Sequence, residues 1–186
     1  MKDGLTHDLN AMLKACNKNT KAVFIANPNN PTGTYNTAKE VETFLKKLPK
    51  NKYGMKPLVI IDEAYHEYAV YKKDYPRTLK YLAKNPNLII LRTFSKIYAL
   101  AGARVGYGFA SRQVADYIER IRPPFNLNIF AQAAAIASLK DDNQVNRSLA
   151  HIKKEMKFVT GGLKKMKISF INSVGNFVLF SVEPLN

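Results

Sequence analysis

Leu58-Val59-Ile60-Ile61-Asp62-Glu63-Ala64-Tyr65 is the stretch whose reading decides the fold. Four apolar residues run straight into an acid, without the alternation of a half-exposed strand. Such a bare run is expected of a strand buried on both faces of a parallel sheet. Runs of the same kind flank it at residues 21–26 and 87–93. Between the first two runs, Thr37 and Glu40 are spaced as a capping box for a helix reaching residue 48. Between the second and third, residues 78–83 read as a short helix. A short amphipathic helix over residues 8–15 precedes the first strand, and residues 104–110, rich in glycine and aromatics, read as a fourth strand. Helices then dominate, over residues 112–121, 128–139 and 143–165. Residues 166–171 and 176–182 read as two closing strands, the second continuing toward residues 183–186. This order predicts an α/β fold, a three-layer α/β/α arrangement around a mostly parallel sheet. Residues 1–165 are expected to form a large domain. Residues 166–186 are expected to begin a smaller α+β domain, so that the chain reads as part of a longer protein.

Composition narrows the class. Apolar residues make up 46% of the 186, a globular proportion. The purely apolar runs are far too short to span a bilayer. Residues 1–20 mix acids, amides and lysines with no apolar stretch of signal-peptide length. Cys16 is the single cysteine, which excludes a disulfide within these residues. A cytoplasmic location is the resulting expectation. The net charge of +15 raises the question of a nucleic-acid or anionic-membrane partner. Only seven of the 29 basic residues are arginine, and the lysines come singly or in pairs, never as a tract. Lysines coating solvated helices are the preferred reading, with neither nucleic acid nor membrane as partner.

In parallel α/β sheets the ligand sits beyond the carboxyl ends of the strands. Four features fall there. Asn27-Pro28-Asn29-Asn30-Pro31-Thr32-Gly33 follows the first strand, Asp62-Glu63-Ala64-Tyr65 the second, and Thr93-Phe94-Ser95-Lys96 the third. Arg104 opens the fourth, between two runs of small residues that argue for burial near a ligand. Each has a plain alternative. Asn30 can be a turn residue, Asp62 a turn cap, Tyr65 a packing aromatic and Arg104 a surface charge. Glu63 reads as structural or solvated. Ser95 beside Lys96 allows a Ser/Lys hydrolase, but no second lysine or oxyanion glycine loop supports it. His7, His66 and His151 show no ligand spacing, so no metal site is expected. Taken together, the four features supply a lysine able to form a Schiff base, an acid, neutral hydrogen-bond donors, and a hydroxyl–guanidinium set suited to a phosphate.

These motifs resemble those of the fold-type I pyridoxal-phosphate aminotransferases, and within them the histidinol-phosphate branch. The residues carrying the resemblance are 26–33, Ile61-Asp62-Glu63-Ala64-Tyr65, and the stretch from Arg92 through Lys96 to Leu100-Ala101-Gly102-Ala103-Arg104-Val105-Gly106-Tyr107. Arg122-Pro123-Pro124-Phe125-Asn126 supports the branch. The resemblance implies pyridoxal 5'-phosphate as cofactor, with Lys96 as its Schiff-base lysine and proton shuttle. Asp62 would pair with the ring nitrogen, and Tyr65 and Asn30 would bond the ring's 3-oxygen. Thr93, Ser95 and Arg104 would hold the phosphate. Asn176, in a Gly-Asn-Phe segment, would approach the substrate's carboxyl end. The Asn30-Pro31 peptide is the candidate for a cis bond. The implied partners are a small-molecule amino donor, histidinol phosphate, and a 2-oxo acid acceptor, 2-oxoglutarate, in a homodimeric full-length enzyme. Aromatic aminotransferases and threonine-phosphate decarboxylases share every motif quoted, and a non-catalytic basic module retaining the fold is the alternative of another class. The family's glycine-rich phosphate loop, stacking aromatic, partner-donated tyrosine and carboxylate-binding arginine have no counterpart here. The 186 residues alone are therefore expected to bind cofactor weakly and to transaminate little.

Overall fold

Val23 and Ile25 lie two residues apart on β1 (Ala22–Ala26) and point to one face, while Phe24 points to the other. The same alternation repeats on β2 (Leu58–Asp62) and β3 (Leu88–Thr93), which run parallel to β1 in the order β1-β2-β3. Register places Val23, Val59 and Leu88 in one row, and Ile25, Ile61 and Ile90 in the next. A computed structural model describes residues 5–182, which excludes the expected strand continuation at residues 183–186. β4 (Gly106–Ala110) pairs antiparallel with β3 and completes a four-stranded, mostly parallel sheet. The α/β architecture is the one expected.

One face of the sheet is closed. Helices α1 (Leu9–Ala15) and α2 (Ala38–Lys47) lay Leu9, Val41, Phe44 and Leu45 on the two rows above. Tyr81 and Leu82 join them from the 3-10 segment Thr78–Lys84. The capping box is present: Glu40 N–H donates to the Thr37 hydroxyl, and Thr37 N–H donates to the Glu40 carboxylate at 2.9 Å. The opposite face is more open. Ile60 and Ile89 are buried at its centre, but Phe24 is 70% exposed and Leu91 40% exposed. The expectation of burial on both faces thus holds for the middle of β2 and the first half of β3, and fails at β1 and the end of β3.

Past β4 come α4 (Arg112–Ile121), α5 (Ile129–Ser138) and α6 (Asp142–Lys165). Asp141 caps α6 by accepting from Gln144 N–H, which starts the helix slightly earlier than expected. A one-turn helix, α3 (His66–Ala69), follows β2 and was not expected. The two closing strands are corrected. Residues near Phe170 and Phe180 meet only through one antiparallel bridge, with Ile171 N–H donating to Leu179 O and Ser181 N–H to Ser169 O. The first of them cannot start at residue 166, because Met166 finishes the helix and Lys167 turns the chain with φ 58°. Among the described residues no helix is long and apolar enough to cross a membrane.

Candidate active site

The parallel register brings three strand ends to one edge. Asn27 N–H donates to Asp62 O and Glu63 N–H donates to Leu91 O, each at 2.8 Å, so the loops leave the sheet side by side. The turn after β1 is tightly tied: Gly33 N–H donates to Asn29 O at 2.7 Å, and Asn29 Nδ2 donates to Thr32 Oγ1 at 2.8 Å. Asn30-Pro31 is cis, as expected, and so is Asn27-Pro28. This turn carries Asn30 to the loop after β2, where its Nδ2 donates to the Tyr65 hydroxyl at 2.9 Å. The Nζ of Lys96, from the loop after β3, stands 5.1 Å from the centre of the Tyr65 ring. Three loops distant in sequence thus meet at one phenol.

Tyr65 is buried and held from below. Tyr68 and Ile97 pack with it, against Val145, Leu149 and Ile152 of α6. Phe177 meets the Tyr65 ring edge-on at 5.0 Å. The adjoining Asn176 is solvent-exposed. Its segment is docked on the turn after β1, since Val174 N–H donates to Gly33 O at 2.9 Å. Gly33 has φ +70°, and a Cβ there would lie 1.9 Å from Ser173 Oγ. Only glycine permits both the backbone conformation and the close approach.

The loop between β3 and β4 closes at its neck. Thr93 pairs with Gly106, and Phe94 N–H donates to Val105 O at 3.2 Å. Thr93 Oγ1 accepts from Ser95 N–H at 3.0 Å. Arg104 therefore lies beside this neck, near Thr93 and Ser95, but it does not open the strand and is not buried. Its left-handed backbone (φ 55°) ends the short helix Ala101–Ala103, and its exposed guanidinium donates to the Ala101 carbonyl at 2.7 Å. Val105 takes the buried position instead. Asp62 is exposed at the end of β2, with Oδ1 accepting from Ala64 N–H at 2.9 Å. The turn-capping role considered for it is thus real, and it coexists with a carboxylate facing outward from the sheet edge.

Sequence reasoning missed the charged cluster behind this edge. Glu63 is fully buried, not solvated, and accepts from Thr78 Oγ1 at 2.6 Å and from Arg92 Nε at 2.9 Å. Burial pushes the Glu63 carboxyl up, while Thr78 and Arg92 pull it back toward ionisation. Burial works against the charge of Arg92, but Glu63 outweighs it and the guanidinium's pKa is raised. We take both groups as charged, because the guanidinium presents two nitrogens to one carboxylate oxygen. His66 stands 3.4 Å from that carboxylate, yet burial and the cations Arg92 and Arg77 lower its pKa to about 3, so the ring is neutral. The available signal was an arginine inside a strand end opposite a doubled acid.

The donor set fits a phosphorylated, carbonyl-bearing ring. It combines an amine, an outward carboxylate, a phenol already bonded to an amide, and hydroxyls at the loop neck, with the Arg104 guanidinium beside it turned to the Ala101 carbonyl. Among the described residues, no group of His, Cys, Asp or Glu could hold a metal ion.

Fold and site place the chain among α/β proteins that hold their ligand beyond the carboxyl ends of parallel strands. More narrowly, it belongs to the class I and II aminotransferase family, whose sequence pattern matches residues 1–184. It is 47% identical to histidinol-phosphate aminotransferase 1 of Nitrosococcus oceani over 97% of this chain and 47% of that protein. It is 46% identical to histidinol-phosphate aminotransferase of Brevibacillus brevis over 98% of this chain and 48% of that one. The chain thus spans about half the length of the curated relatives it matches. Among solved structures, it resembles histidinol-phosphate aminotransferase from Sinorhizobium meliloti in complex with pyridoxal-5'-phosphate. The TM-score is 0.84 at 33% identity, covering 93% of this chain and 46% of that one. Aspartate aminotransferase from Thermus thermophilus with maleate shares the fold, with a TM-score of 0.82 at 19% identity over 97% of this chain and 47% of that one.

Proposed function

We propose that this chain supplies the cofactor-gripping part of a pyridoxal-phosphate aminotransferase that converts histidinol phosphate and 2-oxoglutarate to imidazole acetol phosphate and glutamate. The observation that carries the reading is the meeting of Lys96, Tyr65 and Asn30 at one buried phenol beyond the strand ends. When bound, the cofactor supplies an electron sink for the substrate's Cα. The residues of the chain hold and orient. Lys96 would be the attachment point and the base that takes the proton from the donor's Cα. Asp62 would pair with the ring nitrogen and keep it protonated. Tyr65, oriented by Asn30, donates to the ring's 3-oxygen. Thr93, Ser95 and Arg104 would hold the phosphate near the neck of the β3–β4 loop, which would require Arg104 to leave the Ala101 carbonyl or share its remaining donors. Asn176 meets the substrate from the segment docked on Gly33.

Residues 166–186 as the start of a second domain belong to the same proposal, supported by the change from sheet and long helices to a short bridged segment near Phe170. A homodimer, which rests on the family resemblance, and a cytoplasmic location, which rests on the composition and the single cysteine, also belong to it. The test is glutamate formation by the polypeptide that the complete reading frame encodes, supplied with pyridoxal phosphate, 2-oxoglutarate and histidinol phosphate. Turnover with histidinol phosphate above that with phenylalanine or tyrosine supports the reading. Turnover with the aromatic amino acids alone, or release of carbon dioxide from threonine phosphate, contradicts the substrate assignment.

A further inference from the structure

Glu63 and Arg92 stand directly behind the two strand-end positions that face the site. The pleat sends successive side chains to opposite faces. Asp62 shares a face with Ile60, Leu91 and Thr93, and Glu63 and Arg92 continue the closed rows of Ile61 and Ile90. Glu63 Oε2 accepts from Arg92 Nε and lies within 2.9 Å of Arg92 Nη2. Oε1 is held by Thr78. Arg92 reaches on to β4, its Cζ 5.6 Å from the centre of the Phe109 ring. One side-chain bridge therefore joins the ends of β2 and β3, the face of β4 and the segment that starts at Thr78. A fork of N–H groups on a carboxylate fixes direction as well as distance, which a lysine does not do. Apolar residues of similar volume often replace a buried ion pair at no loss of stability. Stability alone therefore gives no reason for charges at this spot.

We propose that Glu63 and Arg92 are positioning residues, whose forked pair sets the separation of the strand ends that carry Asp62 and Thr93. That separation is the span between the groups that would meet the ring nitrogen and the phosphate of pyridoxal phosphate, so the role rests on the function proposed above. Neither residue touches the ligand. Both act through their outward-facing chain neighbours.

The test uses the polypeptide of the complete reading frame. The double variant Glu63→Gln/Arg92→Met keeps an acceptor for Thr78 and fills the volume without the charges. Three quantities are compared with the parent: the melting temperature without cofactor, the dissociation constant for pyridoxal phosphate, and the visible circular dichroism of the bound cofactor. The expected result is a melting temperature close to the parent's, binding weakened by about tenfold or more, and an altered dichroic band. Equal affinity and an equal band in the double variant overturn the role. If the double variant does not fold, Arg92→Lys decides, since it keeps the charge and removes the fork. Weaker binding with an altered band supports the role, and parental values overturn it. A parent that takes up no pyridoxal phosphate removes the proposed function itself, and this role with it.

Discussion

Asp62 and Glu63 differ by one methylene and one position, yet Asp62 is exposed and caps a turn, whereas Glu63 is fully buried among Thr78, Arg92 and His66. The strand pleat makes the difference. One acid emerges on the open face of the sheet, and the next enters the face that α1, α2 and the Thr78–Lys84 segment close. The two adjacent acids therefore belong to opposite faces of the sheet, one open and one closed. The inner acid is costly to disturb, and the outer one is free to meet a ligand.

The comparison breaks most visibly at Glu63. Glu63→Ala leaves Arg92 buried without its counter-charge, a loss of about 3–5 kcal/mol. Denaturant unfolding measures it, and a midpoint like the parent's would show the pair to be inert. Gly33→Ala is next. It forces a side chain into the left-handed region and against Ser173, and should cost about 1–3 kcal/mol and loosen the docking of residues 173–177. Protection of the Val174 amide from hydrogen exchange reports that docking directly.

A smaller effect comes from His66, whose pKa falls from 6.5 to about 3 in the folded chain. The folded state keeps the ring neutral while the unfolded chain takes up a proton. Stability is thus fully present above pH 6.5 and declines as the pH falls toward 3, by at most about 1.4 kcal/mol per pH unit. Glu63 and Glu67, whose pKa values are raised, act in the opposite sense, and His7, whose pKa is also lowered, acts in the same sense, so the difference in slope between the parent and a His66 variant from pH 7 to 5.5 isolates this histidine. His66→Gln should flatten the slope there. Smallest of all is Asp62→Asn, which should change stability by no more than about 0.5 kcal/mol while weakening the hold on the cofactor. A large loss of stability in that variant would mean that the outer acid is structural after all.

Much of this was legible in the sequence because local signals agreed with the global fold. The bare run ending at Asp62, the capping box at Thr37 and the turn formers after Ala26 each state their role within a few residues. The meeting of Asn30, Tyr65 and Lys96 was reached through resemblance, and the structure supplies the contacts. What was not legible depends on partners distant in sequence. Burial of Glu63 requires Arg92 and Thr78, on separate elements, and neither is marked by spacing. Arg104 misled because small residues on both sides suggested burial, whereas the chain uses it in a left-handed turn whose side chain lies over a helix end. The closing strands misled because alternating apolar residues near Phe170 and Phe180 resemble paired strands, although only one bridge forms.

The central claim is that Lys96 is the residue that grips the cofactor. It is tested most directly by adding pyridoxal phosphate to the polypeptide of the complete reading frame, reducing with borohydride, and locating the added mass by peptide mass spectrometry. The account predicts a visible absorbance band before reduction, a label on the peptide containing Lys96, and loss of both in Lys96→Ala. A label on a different lysine, or an unchanged band in Lys96→Ala, would contradict it.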